Sequence, residues 1–204
     1  MNTVVFGGSF DPLHDGHIAA ADAVQGSFAI DEFLWTPSWH AVHKLDVRPA
    51  DADFRVRCID SVLPSRPQNE SLCLLETDSQ RLCYSVDTLR LLSQQNPERE
   101  LYFLIGGDSL SHLNTWHDLP GLFTTCRFLL VPRPGWGAQQ LADYTASLAP
   151  DLRRLFRAQF MHMPVVDISS SFVRQQLMAG GEAAQMPASV IELITAENVY
   201  KGLD

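Results

Sequence analysis

Short apolar runs alternate with stretches of helical periodicity along most of the chain. The apolar runs that predict β-strands cover residues 3–6, 32–36, 72–76, 101–105, 128–131 and 165–168. The stretches that predict helices cover residues 18–24, 52–63, 85–95, 108–113, 139–160 and 170–178. This alternation predicts an α/β fold: a Rossmann-like, doubly wound parallel sheet of five to six strands, with helices on both faces and a small helical extension at the C-terminus.

Two of the predicted helices carry clear local signals. The helix over residues 52–63 places Phe54, Cys58 and Ile59 on one face, which is typical of a helix packed on a sheet. The helix over residues 85–95 has Ser85 in the position of a good N-cap.

Composition narrows the class of protein. A chain of 204 residues, 46% hydrophobic and 19% charged, is typical of one globular domain, here spanning residues 1–204. The four cysteines show no CxxC spacing, which is typical of reduced thiols in a cytoplasmic protein. No apolar run approaches the roughly 20 residues of a membrane span, and the chain enters its first strand with no secretory signal peptide. We therefore expect no membrane association.

The net charge of −9 argues against a general nucleic-acid binder, because phosphate backbones require clustered Lys and Arg. Phosphate chemistry in this chain therefore needs a local cationic pocket. Polar clusters follow the predicted strands at residues 7–17, 37–44, 106–108, 132–133 and 169–174. The carboxyl ends of parallel strands share one sheet edge, so we expect these clusters to form one site.

The first cluster reads GGSFDPLHDGH and leads into the first helix. Paired glycines, a tight loop and a helix N-terminus predict a phosphate-binding site, in which His14 and His17 would stabilise charge on a phosphoryl group. Two alternatives stay open. His17 could simply cap the helix, or the H-x-x-H spacing, repeated at His40 and His43, could bind a metal, although no cysteine lies near either pair.

The last cluster reads ISSSFVR, and its serines and Arg174 offer a second phosphate cradle. An ordinary serine N-cap followed by a surface arginine is the alternative. Lys44 is either a mobile cation for a triphosphate or a solvated lysine. Trp39 and Trp116 either stack on a ring or belong to the core, and Asp108 either accepts from ribose hydroxyls or caps a helix.

Both clusters resemble known signatures. The first resembles the H-x-G-H element of the nucleotidylyltransferase superfamily, and the second resembles its I-S-S-T-x-[IV]-R element, with Ser171 in place of threonine. Within that superfamily the chain is similar to the bacterial nicotinate-nucleotide adenylyltransferases. The similar segments are Val42-His43-Lys44, the YSVDTL run from Tyr84, Gly106-Gly107-Asp108 with Trp116, and Arg133-Pro134-Gly135. Departures are the Ser38–Val42 stretch, Ser85 in place of threonine, and His117 in place of tyrosine.

The resemblance implies transfer of AMP from ATP to nicotinate mononucleotide, with Mg²⁺ bound mainly through the ATP phosphates and no metal site on the protein. It implies catalytic roles for His14, His17, Lys44 and Arg174. The implied ATP-binding residues are Gly7, Gly8, Ser9, Phe10, Gly16, Gly106, Asp108, Ile168, Ser169 and Ser170. The implied acceptor-binding residues are Trp39, His43, Ser85, Trp116, His117 and Arg133.

Several alternatives to this function stay open. The acceptor could be nicotinamide mononucleotide or 4′-phosphopantetheine, or the chain could be a non-catalytic nucleotide-sensing module. A homo-oligomer also stays open, because an interface helix has the same pattern as any amphipathic helix.

Overall fold

A computed structural model of the protein describes residues 1–27, 29–40, 49–181 and 185–200. Its centre is a six-stranded sheet in which all paired strands are parallel, in the order β3-β2-β1-β4-β5-β6. The strands are β1 (Asn2–Gly8), β2 (Glu32–Pro37), β3 (Glu70–Leu72), β4 (Glu100–Gly106), β5 (Arg127–Val131) and β6 (Ala158–Phe160). The chain winds outward from β1 to β3 and then returns to β4 on the other side of β1. The strand order therefore reverses between β1 and β4, where α/β sheets open a ligand crevice.

The described α-helices surround this sheet. They are α1 (Asp15–Gln25), α2 (Ala52–Asp60), α3 (Leu75–Asp78), α4 (Ser85–Gln95), α5 (Leu119–Thr125), α6 (Ala138–Ser147), α7 (Pro150–Leu155), α8 (Ser170–Met178) and α9 (Ala188–Glu197). Short 3₁₀ helices lie at Leu63–Ser65, Gly107–Ser111 and Leu113–Thr115. Within the described ranges, none of the helices has the length and apolar character needed to cross a bilayer.

Alternating side chains of β1 define the two faces of the sheet. Val4 and Phe6 are buried in one cluster with apolar residues of α1, α2, α8 and α9. Val5 is buried in a second cluster with apolar residues of α4 and α5 and with Tyr144 of α6. Because successive side chains of a strand point to opposite faces, helices cover both sides of the sheet, which confirms the predicted doubly wound architecture.

The sixth strand is not where the sequence pattern placed it. Residues 165–168 form no strand, and β6 lies within the stretch 139–160 that was predicted as one helix. Pro150 divides that stretch, because a residue before proline is disfavoured in helical geometry. The apolar character at Ile168 instead reflects burial in the core, where its carbonyl accepts a hydrogen bond from Arg133 Nη1 at 2.9 Å.

Three smaller boundaries also differ from the predictions. The strand predicted over 72–76 is β3 followed by α3, and its first residue is the charged but buried Glu70, which accepts a hydrogen bond from Trp35 Nε1 at 2.8 Å. The helix predicted over 108–113 is a pair of 3₁₀ turns. Tyr84, rather than Ser85, occupies the N-cap of α4. Helix α8 has the predicted bounds, and α9 forms the predicted helical extension.

Candidate active site

A cleft of about 620 Å³ opens at the carboxyl ends of the strands, where the strand order reverses. It collects polar residues that are far apart in the chain. Predicted site residues that line it are Gly7, Gly8, Ser9, Phe10, His14, Gly16, His17, Ser85, Gly106, Asp108, Trp116, His117, Arg133, Ser169, Ser170 and Arg174. Trp39 is outside the described lining of the cleft, and His43 and Lys44 are outside the described residues.

The loop after β1 is held in an unusual conformation. Phe10 has φ of +47° although it is not a glycine, which is rare for a bulky residue. Its buried ring packs edge-on against Phe6 and Trp35 at centroid distances of 5.2 and 5.6 Å. The backbone carbonyl of Ser9 accepts a hydrogen bond of 2.6 Å from the buried Arg55. Packing and this hydrogen bond together fix the loop that the sequence predicted as a phosphate cradle.

The two histidines of H-x-G-H are in direct contact at the start of α1. His14 occupies the N-cap, and its backbone N–H donates to Nδ1 of His17 at 3.2 Å. The imidazole rings stack with a centroid distance of 3.7 Å and an interplanar angle of 24°. Because Nδ1 of His17 accepts a hydrogen bond, the proton of its neutral form lies on Nε2. The helix-capping role weighed for His17 therefore coexists with a place in the cleft.

His14 is buried, and its Nδ1 has no hydrogen-bond partner among the described residues. Burial, with a smaller contribution from the positive charge of Arg133, lowers the pKa of the imidazole to about 4. His14 is therefore neutral near pH 7. A buried polar atom without a protein partner is uncommon in a folded protein.

Gly16 brings the start of α1 against the second signature. A Cβ atom at this position would lie 2.6 Å from Ile168 Cγ2 and 3.0 Å from His14 Cε1. At these distances a larger side chain would force its neighbours to shift, so the central glycine of H-x-G-H allows close packing on Ile168.

Direct hydrogen bonds join the second signature to the first. Ser169 caps α8 and accepts a hydrogen bond from the backbone of Phe172 at 3.2 Å. The Ser170 hydroxyl donates to the carbonyl of Pro12 at 3.0 Å, and Arg174 Nη1 donates to the carbonyl of Asp11 at 2.6 Å. Two helix N-termini, those of α1 and α8, consequently open into the same cleft, and each favours an anion.

Arg133 lines the cleft next to Ile168 of the second signature. Its guanidinium donates to the Ile168 carbonyl at 2.9 Å, and its Nε lies 4.0 Å from Asp108 Oδ1. It also acts electrostatically on His14. The sequence hypothesis grouped Arg133 with the acceptor-binding residues, and that assignment stays a prediction.

Aromatic side chains form the other end of the cleft. The rings of Tyr84 and His117 stack with a centroid distance of 4.2 Å. Trp116 meets Phe103 edge to face at 6.1 Å and packs partly into the core. Ser85, in the first turn of α4, lies beside them in the lining of the cleft. Flat rings and a helix N-terminus together suit a planar ligand that carries a negative group.

Sequence reasoning missed Glu76, a buried carboxyl group in the lining of the cleft. Its Oε1 accepts a hydrogen bond from the Thr88 hydroxyl at 2.8 Å. Burial raises the pKa of Glu76 to about 7, and the hydrogen bond from Thr88 opposes this shift. The available signal was an acidic residue at the end of an apolar run, because a carboxyl group buried with such a run loses free energy of hydration unless it is hydrogen-bonded. Asp11 and Arg55, both buried next to the loop, were also missed.

The described residues contain no group of three or more His, Cys, Asp or Glu side chains placed to hold a metal ion. What this part of the chain offers in the cleft is neutral imidazole, arginine and helix N-termini, which are partners for phosphate oxygens.

Comparison with known proteins agrees with this arrangement. Residues 5–176 match the model of the cytidylyltransferase-like family. A probable nicotinate-nucleotide adenylyltransferase of Gloeobacter violaceus is 35% identical over 96% of this chain and 94% of its own length. Its counterpart in Bacillus pumilus is 34% identical over 97% of both chains.

Solved structures show the same fold. The Plasmodium falciparum nicotinic acid mononucleotide adenylyltransferase complexed with NaAD superposes with a TM-score of 0.79 at 19% identity, covering 98% of this chain and 97% of that one. Its complex with APC gives a TM-score of 0.77 at 18% identity, covering 98% and 96% of the two chains. The chain thus belongs to the cytidylyltransferase-like family and, within it, to the nicotinate-nucleotide adenylyltransferases.

Proposed function

We propose that this protein transfers AMP from ATP to nicotinate mononucleotide, forming nicotinate adenine dinucleotide and releasing pyrophosphate. One observation carries the proposal: the N-termini of α1 and α8 face a single cleft and are joined by the hydrogen bonds from Ser170 to Pro12 and from Arg174 to Asp11. The names of the relatives support the choice of acceptor.

The reaction needs charge stabilisation more than acid–base chemistry. A 5′-phosphate oxygen of the acceptor attacks the α-phosphorus of ATP, and the bond from that phosphorus to the oxygen bridging to the β-phosphate breaks. The electron pair of the broken bond leaves with pyrophosphate. Because the attacking phosphate is already an anion, no general base is required. The protein must hold two polyanions together and neutralise the leaving charge.

The histidines and the first turn of α1 suit the centre of this reaction. His14 and His17 would donate ring N–H groups to the α- and β-phosphates. The lowered pKa of His14 keeps that ring neutral, so it would act as a hydrogen-bond donor rather than as a cation. Such donors contribute most when charge develops on the oxygens that they contact.

The second signature suits the leaving group. Ser169, Ser170 and the N-terminus of α8 would contact the β- and γ-phosphates, and Arg174 would supply positive charge as pyrophosphate departs. We assign Lys44 to the same role from its sequence position alone. Arg133, which lies beside His14 and Asp108, is better placed for the phosphates or the ribose than for the pyridine.

The remaining ATP contacts follow the loops after β1 and β4. Gly7, Gly8, Ser9 and Phe10 would approach the nucleotide with their backbone. Gly106, Asp108 and Ile168 would surround the adenosine. Mg²⁺ would arrive as part of the MgATP substrate, coordinated by phosphate oxygens and water.

The aromatic end of the cleft would hold the pyridine ring. Trp116 and the stacked pair of Tyr84 and His117 offer flat surfaces. The backbone N–H groups near Ser85 and His117 would donate hydrogen bonds to the nicotinate carboxylate. Contacts of Trp39 and His43 with the acceptor stay sequence-based proposals.

The test is pyrophosphate release from MgATP with each acceptor supplied in turn. We expect release with nicotinate mononucleotide, slower release with nicotinamide mononucleotide, and none with 4′-phosphopantetheine. The dinucleotide product should be identified by mass spectrometry. Binding of ATP without release in the presence of any acceptor would instead favour a nucleotide-sensing module.

A further inference from the structure

The turn after α9 contacts the loop after β1. The hydroxyl of Tyr200 donates to Asp11 Oδ1 at 2.6 Å, across a separation of 189 residues. The same oxygen accepts from the backbone N–H of Ala50 at 3.0 Å. Asp11 is 4% exposed, so its carboxylate is almost fully committed to protein partners.

The other carboxylate oxygen of Asp11 faces Arg174. Arg174 Nη1 lies 3.3 Å from Asp11 Oδ2 and donates to the Asp11 carbonyl at 2.6 Å, while its Nη2 donates to the Ser171 hydroxyl at 3.2 Å. The Asp11 carboxylate therefore links Tyr200 to the guanidinium. Its rotation would change the direction in which Arg174 presents its remaining N–H groups to the cleft.

Both ends of the Tyr200–Asp11 contact carry unusual backbone geometry. Phe10, next to Asp11, has φ of +47°, and Tyr200 has φ of +63°. Asn198, which ends α9, has φ of +56°. A bulky residue with positive φ is strained and persists only when its surroundings hold it. The positive φ values in the turn after α9 place the Tyr200 hydroxyl within hydrogen-bond distance of Asp11.

The phenol is suited to donate rather than to ionise. Burial and the negative charge of Asp11 raise the pKa of Tyr200, so the O–H proton is retained. The ring of Phe54, at a centroid distance of 6.1 Å, packs edge-on against the Tyr200 ring. Replacement by phenylalanine would keep this packing and remove only the hydroxyl.

We propose that Tyr200 is a positioning residue for ATP, which acts through the Asp11 carboxylate to orient Arg174 toward the leaving pyrophosphate. This inference rests on the proposed function for the identity of the ligand. Tyr200 itself lies outside the described lining of the cleft, so it would act without touching substrate.

The first test is Tyr200→Phe in the full chain. We expect kcat/KM for MgATP to fall about threefold to tenfold, as for the loss of one well-placed hydrogen bond. The KM for the acceptor should stay within about twofold, because the ring contacts of Tyr84, Trp116 and His117 in the described part of the chain run to one another, to Phe103 and to His112. A role in folding alone would lower the amount of active enzyme or its thermal midpoint and leave both KM values unchanged.

Tyr144→Phe is the matched control. The Tyr144 hydroxyl also donates to one side chain, Asn114 Oδ1 at 3.0 Å, but on the opposite face of the sheet. Tyr144→Phe should lower the free energy of unfolding by an amount similar to Tyr200→Phe and leave the KM for MgATP unchanged. An equal rise of that KM in both variants would contradict a specific role for Tyr200.

The second test is coupling to Arg174. In an Arg174→Lys background, Tyr200→Phe should change kcat/KM for MgATP by less than about twofold, because the group that it orients has been replaced. Independent, multiplicative effects of the two substitutions would overturn the proposal.

A binding measurement separates this proposal from the proposed reaction. Calorimetry with an ATP analogue that has a methylene group between the α- and β-phosphorus atoms reports affinity without turnover. Weaker binding by Tyr200→Phe supports positioning even if no acceptor is used. Turnover by the wild type together with unchanged affinity and KM in Tyr200→Phe overturns positioning alone. A wild type that does not bind the analogue overturns both.

Discussion

The backbone N–H of His14 donates to Nδ1 of His17, and the two imidazole rings lie stacked at 3.7 Å. This contact fixes the orientation of the two rings relative to each other. A preorganised pair of donors has no reorganisation cost when phosphoryl charge develops, which is the condition under which such groups accelerate a reaction most.

Replacement of His17 by alanine should therefore damage the chemical step. We expect kcat to fall on the order of 100- to 1,000-fold, as for removal of one oxyanion-type donor, about 3–4 kcal/mol. Steady-state kinetics of pyrophosphate release measure this, and calorimetry should show that ATP still binds. A kcat near that of the wild type would refute the role assigned to His17.

The pH dependence of the free energy of unfolding should show that His14 is neutral in the folded protein. Its folded-state pKa of about 4 lies below the ordinary value of 6.5, so the unfolded chain binds the proton more readily. The contribution of His14 to the free energy of unfolding is complete above pH 6.5 and is lost as the pH falls toward 4. Urea unfolding should show the wild type losing about 3 kcal/mol more than His14→Asn between pH 6.5 and 4. Parallel profiles would contradict the burial of a neutral ring.

Glu76 should show the opposite dependence on pH. Its folded-state pKa is raised to about 7 from 4.5. The contribution of Glu76 to the free energy of unfolding is therefore complete below pH 4.5 and is lost as the pH rises through 7. Glu76→Gln keeps an acceptor for the Thr88 hydroxyl and removes the charge. The variant should match the wild type in stability near pH 4 and exceed it at pH 8, by on the order of 3 kcal/mol. A variant less stable than the wild type at pH 8 would indicate that the Glu76 anion has a compensating partner.

Gly16→Ala should push the start of α1 away from Ile168, and so move the first signature away from the second. The added methyl group would overlap Ile168 Cγ2, and overpacking of this kind costs about 1–3 kcal/mol. We expect a lower midpoint of thermal unfolding together with lower affinity for ATP. Gly26→Ala is the control, because its Cβ would lie no closer than 3.4 Å to the Asp22 carbonyl at the other end of α1. Equal effects of the two substitutions would mean that only helix propensity had changed.

His117→Tyr tests recognition of the acceptor. His117 stacks on Tyr84 at the aromatic end of the cleft, and its family counterpart is a tyrosine. If the imidazole assists the carboxylate of the pyridine, the variant should lose part of its preference for nicotinate over nicotinamide mononucleotide, by about threefold in the ratio of kcat/KM values. An unchanged ratio would indicate that backbone N–H groups, and not the imidazole, recognise the carboxylate of the pyridine. Tyr84→Phe, which preserves the stack, is the matched control.

The parts of the fold that could be predicted are those specified by local signals. Helix α8 follows from its serine cap and apolar spacing, and the loop after β1 follows from Gly7 and Gly8. Strand β6 could not be found, because three residues at a sheet edge carry too little pattern and Pro150 divides the preceding helix. The place of Arg133 beside His14 is set by tertiary contacts that leave no mark in the sequence.

The contact between Tyr200 and Asp11 was beyond sequence reasoning for the same reason. Neither residue has a periodicity or spacing that points to the other, and the turn after α9 depends on two residues with positive φ that are not glycines. By contrast, the convergence of the two signatures was predicted, although the strand expected over residues 165–168 does not form. The second signature is instead held against the first by the hydrogen bonds of Ser170 and Arg174.

The cleft is assembled from segments at opposite ends of the chain, and this affects the protein during its synthesis. The loop with His14 and His17 leaves the ribosome before α8 and Tyr200 do. A chain truncated before α8 would present the N-terminus of α1 without that of α8. We therefore expect such a translation product to bind ATP more weakly than a chain that includes both helices, and to compete poorly for the nucleotide.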